Sequence, residues 1–128
     1  MKLGIDKTVA GEFDTVLEKT KEALKSEGFG ILTTIDVKAT MKEKLGADFE
    51  NYVILGACNP PLAHKALTAT REVGLLMPCN VVVREVGPGR ISVSAVNPAM
   101  FAQVMPEVDL SEMATQASAK LTTAIGKV

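Results

Sequence analysis

Tryptophan is absent from this 128-residue chain, histidine and tyrosine occur once each, and cysteine occurs twice. A serine-histidine-aspartate triad would have only His64 as its base. Two cysteines and one histidine cannot complete a four-ligand zinc site without a carboxylate or a second chain. A dominant charge sign is also missing, with 14 basic against 15 acidic residues and a net charge of -1. Binding to a phosphate backbone needs a basic excess or stripe, so nucleic acid is not an expected partner. No apolar run approaches the ~20 residues of a membrane-spanning helix, so no membrane partner is expected either. Residues 1–6 hold one lysine and an early aspartate without an apolar core, unlike a secretory signal. The expected location is the cytoplasm, where both thiols stay reduced. What the chain has in quantity is apolar side chains, 47% of the total, which excludes intrinsic disorder.

Periodicity supplies the elements. Residues 2–9 alternate as a strand, and then Phe13, Val16, Leu17, Thr20 and Leu24 take helical spacing, stopped by Gly28. Residues 29–36 read as a strand, and Asp36 caps a short helix over 37–45, closed by Gly46. Residues 51–59 form the most apolar strand. Asn59 is then an N-cap and Pro60 the first helical residue, with the helix ending near Val73 and Gly74 as its C′ residue. Residues 77–86 and 90–96 pair as a hairpin about the Gly87-Pro88-Gly89 turn. Asn97-Pro98 breaks the second strand, and a short apolar segment, 100–105, follows. Asp109 caps the last helix, with Glu112 in capping-box position and Gly126 at its end.

The expected fold is α+β. It is a mainly antiparallel curved sheet of about five strands, flanked by two long helices and shorter ones. The element order is β-α-β-α-β-α-β-β-α. Neither repeats nor a linker divide the chain, so residues 1–128 form a single domain. An open sheet has exposed edges that invite pairing, which makes a homodimer the natural assembly.

Two blocks carry a resemblance. Residues 52–60, Tyr-Val-Ile-Leu-Gly-Ala-Cys-Asn-Pro, are followed by Ala63, Ala66 and Leu67, and a second block covers residues 74–83. Together with Asn97-Pro98, where Asp-Pro is the commoner pattern, these signatures lie within residues 51–104. They resemble the prokaryotic "domain of unknown function 302" family. The resemblance implies a TATA-binding-protein-like α+β fold, commonly a homodimer, and implies no activity.

The chain's rare sulfur and amide residues cluster in the same two blocks. Cys58 closes a strand directly before an Asn-capped, Pro-initiated helix. The free amides and dipole of such a helix favour negative charge and can lower a thiol pKa. Buried cysteine is, equally, a small hydrophobe. If the second block's strand runs beside the first, Cys79 approaches Cys58. The two thiols with His64 or Met77 would then make a soft site for Cu(I), zinc or a haem-type cofactor. The 21-residue spacing is not that of a metal knuckle, so no metal site is assigned. His64 lies six residues beyond Cys58 and has no visible orienting group. Asn59 and Asn80 each follow a cysteine and are either backbone caps or ligand-orienting amides.

The reading adopted is a small binding module for a small ligand, soft metal or cofactor, with Cys58, Asn59, His64, Cys79 and Asn80 lining the site. A dimeric structural or interaction protein is the first alternative. A thiol-dependent enzyme or redox protein using Cys58 is the second. No particular cofactor is identified.

Overall fold

Alternation along the strands decides which side of the sheet is buried. The computed structural model describes residues 2–128. Strands β1 (Gly4–Ala10), β2 (Gly30–Asp36), β3 (Tyr52–Cys58), β4 (Cys79–Gly87) and β5 (Arg90–Val96) form one sheet. Their order is β1-β5-β4-β3-β2, and every neighbouring pair is antiparallel. Val53, Val83 and Val93 stand opposite one another in register and are buried, as are Leu55, Val81 and Ala95. One residue along each strand, the row Ile35, Ile54, Val82, Ser94 and Asp6 crosses all five strands on the other face. None of that row is buried. The sheet is therefore two-sided, as period-two sequences specify.

Helices α1 (Phe13–Ser26) and α5 (Ser111–Gly126) cover the buried face. Helix α1 contributes Val16, Ala23 and Leu24, and α5 contributes Leu121, Ala124 and Ile125. Each large side chain taken from water here stabilises the fold by roughly 1.5–3 kcal/mol. Thr20 is buried among them at no hydrogen-bonding cost, because its hydroxyl donates to the Val16 carbonyl at 2.8 Å. A second apolar cluster lies beyond the sheet's end. It joins α3 (Pro60–Ala69) and α4 (Ala99–Val104) to the first half of α5 through Leu62, Ala66, Phe101, Met113 and Ala117.

The caps read from the sequence form as expected at four places. The Asp36 carboxylate accepts from the Ala39 N–H at 3.0 Å, starting α2 (Val37–Leu45), and Gly46 closes it at φ 64. Gly28 ends α1 at φ 83. Asn59 caps α3 by accepting from the Leu62 N–H at 3.3 Å.

Two helix ends differ. Helix α3 stops at Ala69, not near Val73. Thr70 is extended, and a 3-10 turn, Arg71–Leu76, absorbs Gly74. This path buries Val73 completely in the second cluster, while the Arg71 guanidinium takes the last carbonyls of α3, those of Leu67 and Thr68. Asp109 is not the N-cap of α5. That position belongs to Leu110, which is buried, and the helix starts at Ser111. Asp109 instead accepts from the Ser111 N–H and hydroxyl at 3.2 and 2.6 Å, and these bonds hold its carboxyl below the usual range. Glu112 does not complete a capping box; it accepts from Gln116 at 3.3 Å. The short segment after Asn97-Pro98 is helical, adding α4 to the anticipated order.

Candidate functional site

The β3–α3 junction brings the two cysteine-bearing strand ends side by side. Antiparallel register places Cys79 opposite Ala57 and Cys58 opposite Gly30, so alternation sets Cys58 and Cys79 on opposite faces at the end of the β3–β4 pair. Both are half-buried and free. They border a small, partly open cavity of about 30 Å³ with Met77 and Met113, walled by Phe29, Leu62 and Phe101. Burial pushes the Cys79 thiol up to about 11, and the nearby Cys58 adds to the rise.

The amides anticipated around Cys58 are not free. Pro60 and Pro61, the first two helical residues, have no N–H. The Leu62 N–H is taken by the Asn59 side chain, and the Ala63 N–H bonds the Asn59 carbonyl at 2.9 Å. Asn59 also donates to the Glu27 carbonyl at 3.4 Å, tying this corner to the end of α1. Its amide is thus committed to structure. His64 faces solvent on α3 and borders neither this cavity nor the cleft described next.

Asn80, one residue beyond Cys79, points to the other side of the sheet. There it borders an open cleft of about 440 Å³. Val82 and Val96 form the cleft's apolar floor, and Leu75, Leu76, Met77 and Pro78 rise as a wall beside β4. The wall stands close because β3 has a glycine beneath it. A Cβ at Gly56 would lie 2.8 Å from Pro78 Cγ and would collide with the Thr33 hydroxyl. Polar groups mark one end. The Asp6 carboxylate accepts from the Ser94 hydroxyl and pairs with Lys2 at 3.1 Å. The Ser94 bond first, then Lys2, holds the Asp6 carboxyl below its usual range. A Cβ at Gly4 would collide with this Asp6–Ser94 pair.

The candidate residues therefore divide. Cys58, Asn59 and Cys79 surround the small cavity, Asn80 borders the cleft, and His64 borders neither. Asp6, Ser94 and Val82 were not singled out by sequence, since each reads there as one polar or apolar member of an alternating strand. Only strand register sets them side by side. Among the described residues, no group of three or more His, Cys, Asp or Glu could hold a metal ion, and no buried side-chain nitrogen or oxygen lacks a partner. Among them, too, no helix is long and apolar enough to cross a membrane.

Comparison with known proteins agrees with the fold. The family model described as "Domain of unknown function DUF302" matches residues 5–128, well beyond the blocks that carried the resemblance. The crystal structure of an uncharacterized conserved DUF302 protein from Bacillus stearothermophilus is 31% identical, with a TM-score of 0.82. The match covers 96% of this chain and 97% of that one. No curated protein matches.

Proposed function

The chain belongs to the DUF302 family, and from that premise we propose that it is a binding module for a small, largely apolar molecule carrying one hydrogen-bonding group. The cleft above β4 and β5 is the supporting observation. Its volume of about 440 Å³ lies in the range of small-ligand sites, ~300–1,000 Å³. Apolar walls with few polar groups at one end match the usual makeup of such sites. Asn80, Asp6 and Ser94 supply orientation, and Val82 and Val96 supply contact area. Replacing Val82 by tryptophan fills the floor from an exposed face and leaves the buried side of the sheet untouched. Fluorescence of the neutral probe Nile red is expected to rise with the wild-type protein. It should fall to the free-dye level with Val82→Trp at unchanged melting temperature. A dye response of equal size in the variant removes the cleft from the proposal.

We further propose that the module is a homodimer paired through β2, working where its thiols stay reduced, as in the cytoplasm. β2 is an edge strand with one ladder unpaired. Residues 30–49 hold four exposed large apolar side chains, Leu32, Ile35, Leu45 and Phe49, and α2 buries no residue. An antiparallel edge is self-complementary under two-fold symmetry, so a second copy is the partner that satisfies it without new chemistry.

A further inference from the structure

We propose that the molecule held in the cleft is a small amphiphile ending in a primary ammonium group, which pairs with the Asp6 carboxylate. The inference rests on the cleft reading and adds the charge of its ligand. Among the described residues that line the cleft, Asp6 alone has an ionisable side chain, and Ser94 and Asn80 are the other polar ones. The Ser94 hydroxyl donates its one proton to Asp6, so its oxygen keeps acceptor capacity alone. An ionised carboxylate also only accepts. The Ser94 bond first, then Lys2, holds the Asp6 carboxyl below its usual range, so it is ionised at neutral pH. The side chains at this end therefore offer lone pairs and a negative charge, and no proton. A ligand carboxylate or phosphate is repelled there, and a carbonyl or ether finds no side-chain donor. A primary ammonium brings three donors and the opposite charge.

Backbone geometry aims these oxygens inward. Gly4 and Val96 pair two residues along from Asp6 and Ser94, on the same side of the sheet. A Cβ at Gly4 would strike Asp6 Oδ1 and Ser94 Oγ, so both oxygens lean over the glycine toward Val96 and the cleft floor. From β1 across β5 to the wall beside β4 is two strand spacings, roughly 10 Å, a span suited to a short alkyl chain or one aromatic ring. Lys2 already pairs with Asp6 at 3.1 Å, but its side chain is 76% exposed and lies outside the lining. Such a surface pair contributes little, and each carboxylate oxygen keeps a lone pair for a second donor. A ligand ammonium can therefore share Asp6 with Lys2 or displace it.

The test is displacement of Nile red from the full chain by hexylamine, hexanol and hexanoate at neutral pH and low salt. These three share one alkyl chain and differ in the charge of the head group. Hexylamine should bind about tenfold more tightly than hexanol, with hexanoate weakest, and added salt should shrink its advantage. Asp6→Asn should still bind Nile red and should hold hexylamine no better than hexanol. Lys2→Ala frees the carboxylate and should bind hexylamine at least as tightly as the wild type. Amide shifts in the wild type on adding hexylamine, centred on Gly4, Asp6 and Ser94, locate the ammonium even if Asp6→Asn fails to fold. Hexanol or hexanoate matching hexylamine, in a wild type that does bind Nile red, overturns the ammonium and leaves the cleft standing. A hexylamine preference that survives in folded Asp6→Asn, or shifts centred elsewhere, overturns it equally. No Nile red response from the wild type removes the cleft, and this inference with it.

Discussion

Gly56 has no side chain because two neighbours already occupy the space, the Thr33 hydroxyl and the Pro78 ring. Its φ is not positive, so backbone freedom is not the reason. Alternation along the strand does not say what approaches this position. Gly56→Ala should therefore destabilise by about 1–3 kcal/mol, the usual cost of overpacking, despite alanine's better strand fit. Thermal unfolding checks this, and a neutral or stabilising effect would mean Pro78 shifts freely. Cys79 makes a second residue-level prediction. An unfolded thiol titrates near ~8.5, whereas burial holds this one up to about 11. Between those values the unfolded chain binds fewer protons than the folded one. The contribution is thus complete below ~8.5 and declines with rising pH, by at most about 1.4 kcal/mol per unit. Urea unfolding of the wild type and of Cys79→Ala should show the wild type losing stability more steeply from about pH 8.5 to 11. Parallel profiles would place the thiol in contact with water.

Helix starts were legible where one short polar residue does the work, as at Asp36 and Asn59. They were not legible where burial competes. Leu110 is drawn into the second cluster and shifts the start of α5 past Asp109, and Val73 is drawn in and ends α3 early. Apolar periodicity registers such residues as buried but does not say what they are buried against. The two working caps should respond differently to removal. Asn59 is buried and makes two backbone bonds, to Leu62 and Glu27, so Asn59→Ala should lower global stability by about 1–2 kcal/mol. Asp36 is exposed and starts a helix with no buried residue. Asp36→Ala should accordingly speed amide exchange within α2 and barely move the melting temperature. Equal shifts in melting temperature for both variants would contradict this account of α2.

For the whole molecule, the class and the number of strands followed from alternation and turn residues, and strand order did not. The order β1-β5-β4-β3-β2 sets the first strand beside the last, a pairing across about 90 residues that no local pattern encodes. The Asp6–Ser94 contact depends on that pairing, which is why the polar end of the cleft was invisible while the cysteine blocks were conspicuous. Assembly is tested at this scale. Wild-type protein is expected to run in light scattering at twice the chain mass. The double variant Leu32→Lys, Ile35→Lys should run at the chain mass and keep its melting temperature, since both residues are exposed. A monomeric wild type, or a double variant that still dimerises, would remove β2 from the interface.

Because the long helices α1 and α5 lie on the same side of the sheet, the opposite side is free to change independently of folding. Positions 80, 82, 94 and 96 can exchange size and polarity while the valine and leucine rows behind them stay intact. The same scaffold can therefore carry clefts of different size and polarity, and a redesigned cleft need not begin by rebuilding the protein.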